Sequence, residues 1–243
     1  MFKLKTIFIW LLISGLIDSL YAQKYQVTDF EETQVPKSDS AAWHKFIRHQ
    51  IDFKVWLRHD KLKIGEFDTN KDLPHQAEVS VDRGRIVGTD EGEFYGRLTF
   101  EDDGGGVTQI KNGDFPFVFV YKQNIFFIDT TDPFRKGALY KLTYDDGKYA
   151  YEKIFDFDEP PRTMCIVGGD ILAGSFNYFY RIHDLQKEVI FKGFFSDETV
   201  SPTSIAATDL QHVYVGIDGG YVQFNLVNNT YKCFRYGKKY PWD

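Results

Sequence analysis

Apolar and polar residues alternate along this chain in short runs, and nearly every run stops at glycine, aspartate, asparagine or proline. "AEVSV", "ALYKLTY", "KEVIFKGFF", "YVQFNL" and "TYKCFRY" carry the period of two that puts successive side chains on opposite faces of a strand. No long window shows the 3.6-residue period of an amphipathic helix. Between the runs lie "EDDGGG", "YDDGKY", "VNNT" and "IDGG", whose Asp-Gly and Asn-Asn pairs tolerate the positive φ of tight hairpins. The pattern predicts an all-β chain built from consecutive antiparallel hairpins.

The hairpins repeat. "VGTDEGEFYGRL" (Val87 to Leu98) and "VGIDGGYVQFNL" (Val215 to Leu226) share Val, Gly, Asp, Gly and Leu at the same offsets. Leu98, Leu142, Ile182 and Leu226 close corresponding strands at a period of roughly 43 residues. Each unit runs as an apolar strand, a strand ending near Gly or Asp, a strand ending in Leu or Ile, and an amphipathic fourth. In the last unit these are "TSIAAT", "HVYVGI", "YVQFNL" and "TYKCFRY". In the one before they are "TMCIVG", "DILAGS", "YFYRIH" and "EVIFKGFF". Gly88 and Gly216 read as points where the chain folds back, with Asp90 and Asp218 hydrogen-bonding inside the turn. A calcium loop would stack several oxygen donors at fixed spacing, and the acids do not recur in the middle units.

The stretch "VYVGIDGGYV" (Val213 to Val222) resembles the β-propeller superfamily of Trp-Asp and quinoprotein-like repeats. The resemblance implies four-stranded antiparallel blades around a central channel. The Trp-Asp dipeptide and its Gly-His partner are missing from every unit, and "YPWD" at the C-terminus lies outside any strand pattern. Trp43 to Phe67 reads as a further unit, with Lys24 to Phe30 supplying its missing strand, so the expectation is a β-propeller of five blades.

The first residues follow a different rule. Lys3 and Lys5 precede the apolar run Ile7 to Ile17, and Ala22 offers a cleavage point. That run is shorter than the about 20 apolar residues a membrane span needs. Residues 1–22 are therefore expected to be a signal peptide and 23–243 a single domain, periplasmic or secreted, monomeric and without a stable membrane anchor. The 243 residues carry a formal net charge of −6 with no basic stripe, which disfavours nucleic acid as a partner. Only two cysteines occur, so the core must hold without disulfides. Cys165 falls on a first strand and Cys233 on the fourth strand of the next unit, roughly 14 Å apart at three strand spacings. A disulfide needs Cα atoms within about 7 Å, so both thiols should be free.

Candidate chemistry is sparse. His44, His49 and His59 cluster early, but His44 and His49 would point to opposite faces of one strand, and no His-x-His or Cys-x-x-Cys occurs. No metal or cofactor is expected. "AGSFN" around Ser175 lacks the second glycine and the helix of a nucleophile elbow, and "EDDGGG" lacks the lysine of a phosphate loop. "DFDEPPR" (Asp156 to Arg162) reads as a loop between units. Two features remain. Glu78, Asp82 and Asp209 fall on or beside innermost strands, where furanose-cleaving glycosidases of the five-bladed class place paired carboxylates. Arg48, His49, Arg58 and His59 form a basic patch on an otherwise acidic surface, suited to clamping a carboxylate. The same patch can instead balance Asp52, Asp60 and Glu66.

The leading expectation is an exported, non-enzymatic binding module for a protein partner or a carbohydrate. The alternatives are an inhibitor or immunity protein against a secreted toxin or enzyme with a basic cleft, and a five-bladed-propeller glycosidase.

Overall fold

The computed structural model describes residues 24–35, 51–73, 75–91, 95–131, 136–193 and 201–237. Strand accounts for 65% of it and helix for 4%. A short strand β1 (Phe30–Thr33) precedes a two-stranded sheet of β2 (Phe53–Arg58) and β3 (Lys61–Glu66). After one helical turn, α1 (Thr69–Asp72), comes a second sheet of β4 (Gln76–Val81), β5 (Gly84–Thr89), β6 (Arg97–Asp102) and β7 (Val107–Asn112). The third sheet holds β8 (Phe117–Tyr121), β9 (Asn124–Asp129), β10 (Ala138–Asp145) and β11 (Lys148–Asp156). The fourth holds β12 (Thr163–Val167), β13 (Asp170–Gly174), β14 (Tyr178–His183) and β15 (Gln186–Lys192). The fifth holds β16 (Ser204–Asp209), β17 (His212–Ile217), β18 (Gly220–Asn225) and β19 (Thr230–Tyr236), with β1 added outside β19. All pairings are antiparallel between sequence neighbours except β1 with β19. The predicted all-β, four-strand repeat is present, and the quoted runs of the last two units match their strands to within a residue or two as far as the described residues go.

Sequence alternation explains how the sheets stack. On β13, Ile171 and Ala173 join a core with Tyr121, Phe126 and Ile128 of the third sheet, while Leu172 between them faces the fifth. On β9, Phe126 and Ile128 face the fourth sheet and Phe127 packs with Ile86 and Leu98 of the second. Strands covered on both faces need apolar residues at every position, which is why "NIFFI" and "DILAG" read as continuous apolar runs. Phe53 and Val55 of β2 pack against Ala206 and Tyr221 of the fifth sheet. The packing order is thus second, third, fourth, fifth, first. On β2 Trp56 is 39% exposed, and on β4 Glu78 and Ser80 are exposed.

Two local readings need correcting. Gly88 and Gly216 lie within β5 and β17, and neither has positive φ. They are glycines because the next sheet comes too close. A Cβ on Gly88 would sit 2.6 Å from the Phe115 carbonyl oxygen, and one on Gly216 would sit 2.3 Å from that of Phe53. Gly174 holds the same place against Pro202, at 3.3 Å. The residue that turns the chain after β17 is Gly219, at φ 69°. Second, Lys24 to Phe30 does not complete the first sheet as a strand. Tyr25 makes one antiparallel bridge to Ile64 on β3, and the chain then crosses to the fifth sheet, where β1 pairs with Cys233 to Tyr236. The part of the predicted first unit before Ile51 lies outside the described residues.

Candidate functional site

At one end of the stack the segments that lead into β4, β8 and β12 meet the turns β5–β6, β9–β10 and β13–β14. Between them opens a cleft of about 560 Å³. Pro116 and Pro161 stand just before β8 and β12, where a fixed φ and a missing N–H end pairing to the previous strand and start the next. One wall presents Arg162 and Phe176, the other His75, Asp90, Glu91 and Asp114.

Arg162 is anchored by its backbone, whose N–H donates to the Gly174 carbonyl at 2.8 Å. Its guanidinium lies 4.4 Å from the centre of the Phe176 ring, a cation–π distance. Among the described residues, no hydrogen bond or ion pair engages that guanidinium. Burial lowers its pKa, opposed by the charge of Asp52. Phe176 is held by its neighbours. The Glu159 carboxylate accepts from Ser175 Oγ at 3.0 Å, from the Asn177 backbone N–H at 2.9 Å, and from the Asn177 side-chain amide. The Glu159 N–H donates to the Tyr180 hydroxyl at 3.1 Å. Ser175 is fully buried in the β13–β14 turn, and Glu159 of "DFDEPPR" is the clasp that shapes it.

The opposite wall is equally fixed. Asp114 is buried, its Oδ1 accepts from the Gly96 N–H at 3.3 Å, and its backbone oxygen accepts from Thr130. The Asp90 N–H donates to the His75 carbonyl at 2.9 Å. Beside the cleft, Asp52 and Asp218 form an antiparallel bridge that joins the lead-in of β2 to the β17–β18 turn. Burial pushes the Asp218 carboxyl up to about 7, against the charge of Arg235 and with that of Asp52. Burial also raises Asp52, which the Arg162 charge counteracts. The bridge between the fifth and first sheets thus holds two carboxyls, with the Arg235 charge acting on Asp218 and the Arg162 charge on Asp52.

No family model matches the chain, and no curated protein matches it.

The residues singled out from sequence sit elsewhere. Glu78 lies on the outward face of β4 and pairs at 2.8 Å with Arg85, which also binds Glu101 at 2.7 Å. Asp82 is 94% exposed in the β4–β5 turn. Asp209 ends β16, where its carboxylate accepts from the Gln211 and His212 N–H groups at 2.7 and 2.9 Å. Asp82 and Asp209 lie at strand ends about 20 Å from the cleft, at 3.3 Å per residue. Arg58 ends β2 and His59 begins the β2–β3 turn at φ 51°, also at the far end. Arg48 and His49 lie outside the described residues. Glu66 is engaged by Lys24 and the Tyr25 hydroxyl. Cys165 and Cys233 are free thiols, pushed by burial up to about 12 and about 11.

Sequence reasoning missed Arg162, Phe176 and the Asp52–Asp218 pair. A usable signal was present: Pro116, Pro161 and Pro202 each stand shortly before a first strand, which marks "PPR" as a lead-in at the same end of the stack.

Proposed function

We propose that this protein is an exported five-bladed β-propeller that binds a protein partner in the cleft around Arg162. The ring reading rests on the glycine contacts: Gly88, Gly174 and Gly216 each receive the chain leading into, or starting, the first strand of the following sheet. For Gly216 that following strand is β2, so the two-stranded sheet takes the place of the unit after the last. Export rests on the leader-like residues 1–22 alone.

The observation that carries the binding reading is the guanidinium of Arg162, half-buried on an aromatic ring beside a cleft of about 560 Å³, with the Asp52 charge acting on it but no hydrogen bond or ion pair among the described residues. A partly desolvated arginine gains from a ligand, because its planar fork loses little freedom on binding. Arginine and aromatic side chains are also the residues that dominate measured binding energies at interfaces. Affinity recovery from lysate and secreted fractions tests it. Wild-type chain should retain a partner that Arg162→Ala loses, by at least ten-fold, with melting temperatures within a few degrees. Equal recovery would reject the cleft as the site.

The inhibitor reading draws support from the acidic wall and the net charge of −6. It requires association that slows steeply with added salt. The glycosidase reading would need carboxylates about 5–10 Å apart across a sugar. Hydrolysis of a furanoside by the wild-type chain, lost in Glu78→Gln or Asp209→Asn, would revive it.

A further inference from the structure

We propose that the outer face of the first sheet binds an acidic sugar, with the Trp56 ring as its platform and Lys61 and Lys63 holding a carboxylate. This goes beyond the binding reading above, on a surface that shares no lining residue with the Arg162 cleft.

Alternation sorts the sheet into two faces. Phe53, Val55 and Ile64 are buried against the fifth sheet, with Leu57 and Leu62 packed beside them. The intervening residues point the other way: Lys54, Trp56 and Arg58 on β2, and opposite them Gly65, Lys63 and Lys61 on β3. None of these is acidic, although the whole chain carries a net charge of −6. Lys54 is paired with Asp72 of α1, and Arg58 has a partner of its own. Lys61 and Lys63 engage no acid among the described residues. No buried cluster of described residues joins this sheet to the second, and Trp56 stays exposed.

Gly65 sets the ring. A Cβ there would come 3.1 and 3.2 Å from two carbons of the indole, so the ring reaches across onto β3 and any side chain at 65 would displace it. A pyranose has a face of weakly positive C–H groups, which the negative face of an indole attracts while both shed water. Lys63 stands directly opposite Trp56, about 5 Å away between Cβ atoms. Lys61 lies two positions on, about 7 Å along the strand. Both are flexible point charges, suited to a carboxylate whose place shifts from one sugar to the next. Beside the ring is a cavity of about 360 Å³ whose walls include Phe67, Asp72, Thr203 and Ser204, with room for an adjoining sugar. Ser204 Oγ accepts from the Val55 N–H at 2.7 Å, which leaves its own proton for a sugar hydroxyl. An acidic peptide offers no flat apolar ring beside each charge. Single-stranded nucleic acid stacks successive bases on several platforms along a basic groove, whereas this face has one.

The test is isothermal titration calorimetry of the purified chain with tetramers of galacturonate and of mannuronate, their methyl esters, and oligoglutamate and oligothymidylate of equal charge. At least one uronate should bind with a dissociation constant below about 1 mM, and its ester, the glutamate and the thymidylate at least ten-fold more weakly. Trp56→Ala should lose at least ten-fold and Trp56→Phe should stay within three-fold. Lys61→Gln with Lys63→Gln should also lose at least ten-fold and flatten the dependence on salt. If Trp56→Ala folds poorly, the lysine variant decides alone, since its positions hold nothing in the fold. Absence of uronate binding, equal binding of the ester, the glutamate or the thymidylate, or an unchanged constant in the lysine variant overturns the proposal.

Discussion

Gly216 and Gly168 look alike in the sequence and serve opposite needs. Gly168 is in the β12–β13 turn at φ 59°, with open space where a Cβ would be. Gly216 has ordinary strand geometry, but its Cβ would lie 2.3 Å from the Phe53 oxygen and 2.6 Å from Thr203 Oγ1. Gly168→Ala should cost about 1 kcal/mol, the penalty of a left-handed alanine. Gly216→Ala should cost about 3 kcal/mol, the upper end of core overpacking, since only backbone movement relieves it. Urea denaturation of the two variants measures the difference. Asp218 makes a second residue-scale case. Its carboxyl holds a proton up to about pH 7, whereas in the unfolded chain it ionises near 4. Below pH 4 both states are protonated and nothing is lost. Between about 4 and 7 only the unfolded chain gains by ionising, so stability falls as pH rises through that window. Asp218→Asn should match wild type at pH 4.5 and melt higher at pH 8, by thermal unfolding in matched ionic strength. Neither role shows in composition: both "VGTD" and "VGID" read as turns because the neighbour that restricts them is far away in sequence.

Hairpins were the most legible elements, because a strand and its turn are both written locally. "YDDGKY" places Asp146 and Gly147 at φ 47° and 79°, the geometry an Asp-Gly pair predicts. Other turns kept the geometry without the residues: Lys122 and Gln123 have φ 46° and 62°, and Asp184 and Leu185 have 49° and 62°. There the flanking strands, buried against neighbouring sheets, impose the turn. The N-terminal strand was the least legible element. "KYQVTDF" has strand character, yet nothing local says that Phe30 will meet β19. Phe30 is 6% exposed, with its ring 5.1 Å from Phe53 and 5.5 Å from Tyr221, both edge-on. Phe30→Ala should cost about 3–4 kcal/mol as a buried aromatic truncation. Hydrogen exchange should show the loss concentrated in the β19 amides that β1 covers, from Cys233 to Tyr236.

At the scale of the whole molecule, the repeat was legible because four strands recur at one period and three of the sheets are buried on both faces. The cleft was not, because it is assembled from the lead-ins and turns of three sheets, each unremarkable alone. The early histidines and arginines drew attention through composition, while Arg162 stood inside what reads as a connecting loop. Expression with residues 1–22 present checks the expected export: intact-mass measurement should show a product lacking about 22 residues, recovered outside the cytoplasm. A full-length cytosolic product would contradict it.

The stitch between the ends of the chain has a consequence for synthesis. Residues 30–33 leave the ribosome about 200 residues before their partners, residues 233–236. Phe53 likewise has to wait for Ala206 and Tyr221. A nascent chain can form its middle hairpins but cannot complete its seam, and such long-range closure is slow. Until release, the first-made segment stays unpartnered and the intermediate remains loose. If the chain is exported as proposed, this delay keeps it threadable until β19 has been made. Ribosome-bound chains stalled before Thr230 should therefore be digested by protease at residues 24–35, and released full-length chains should be protected there.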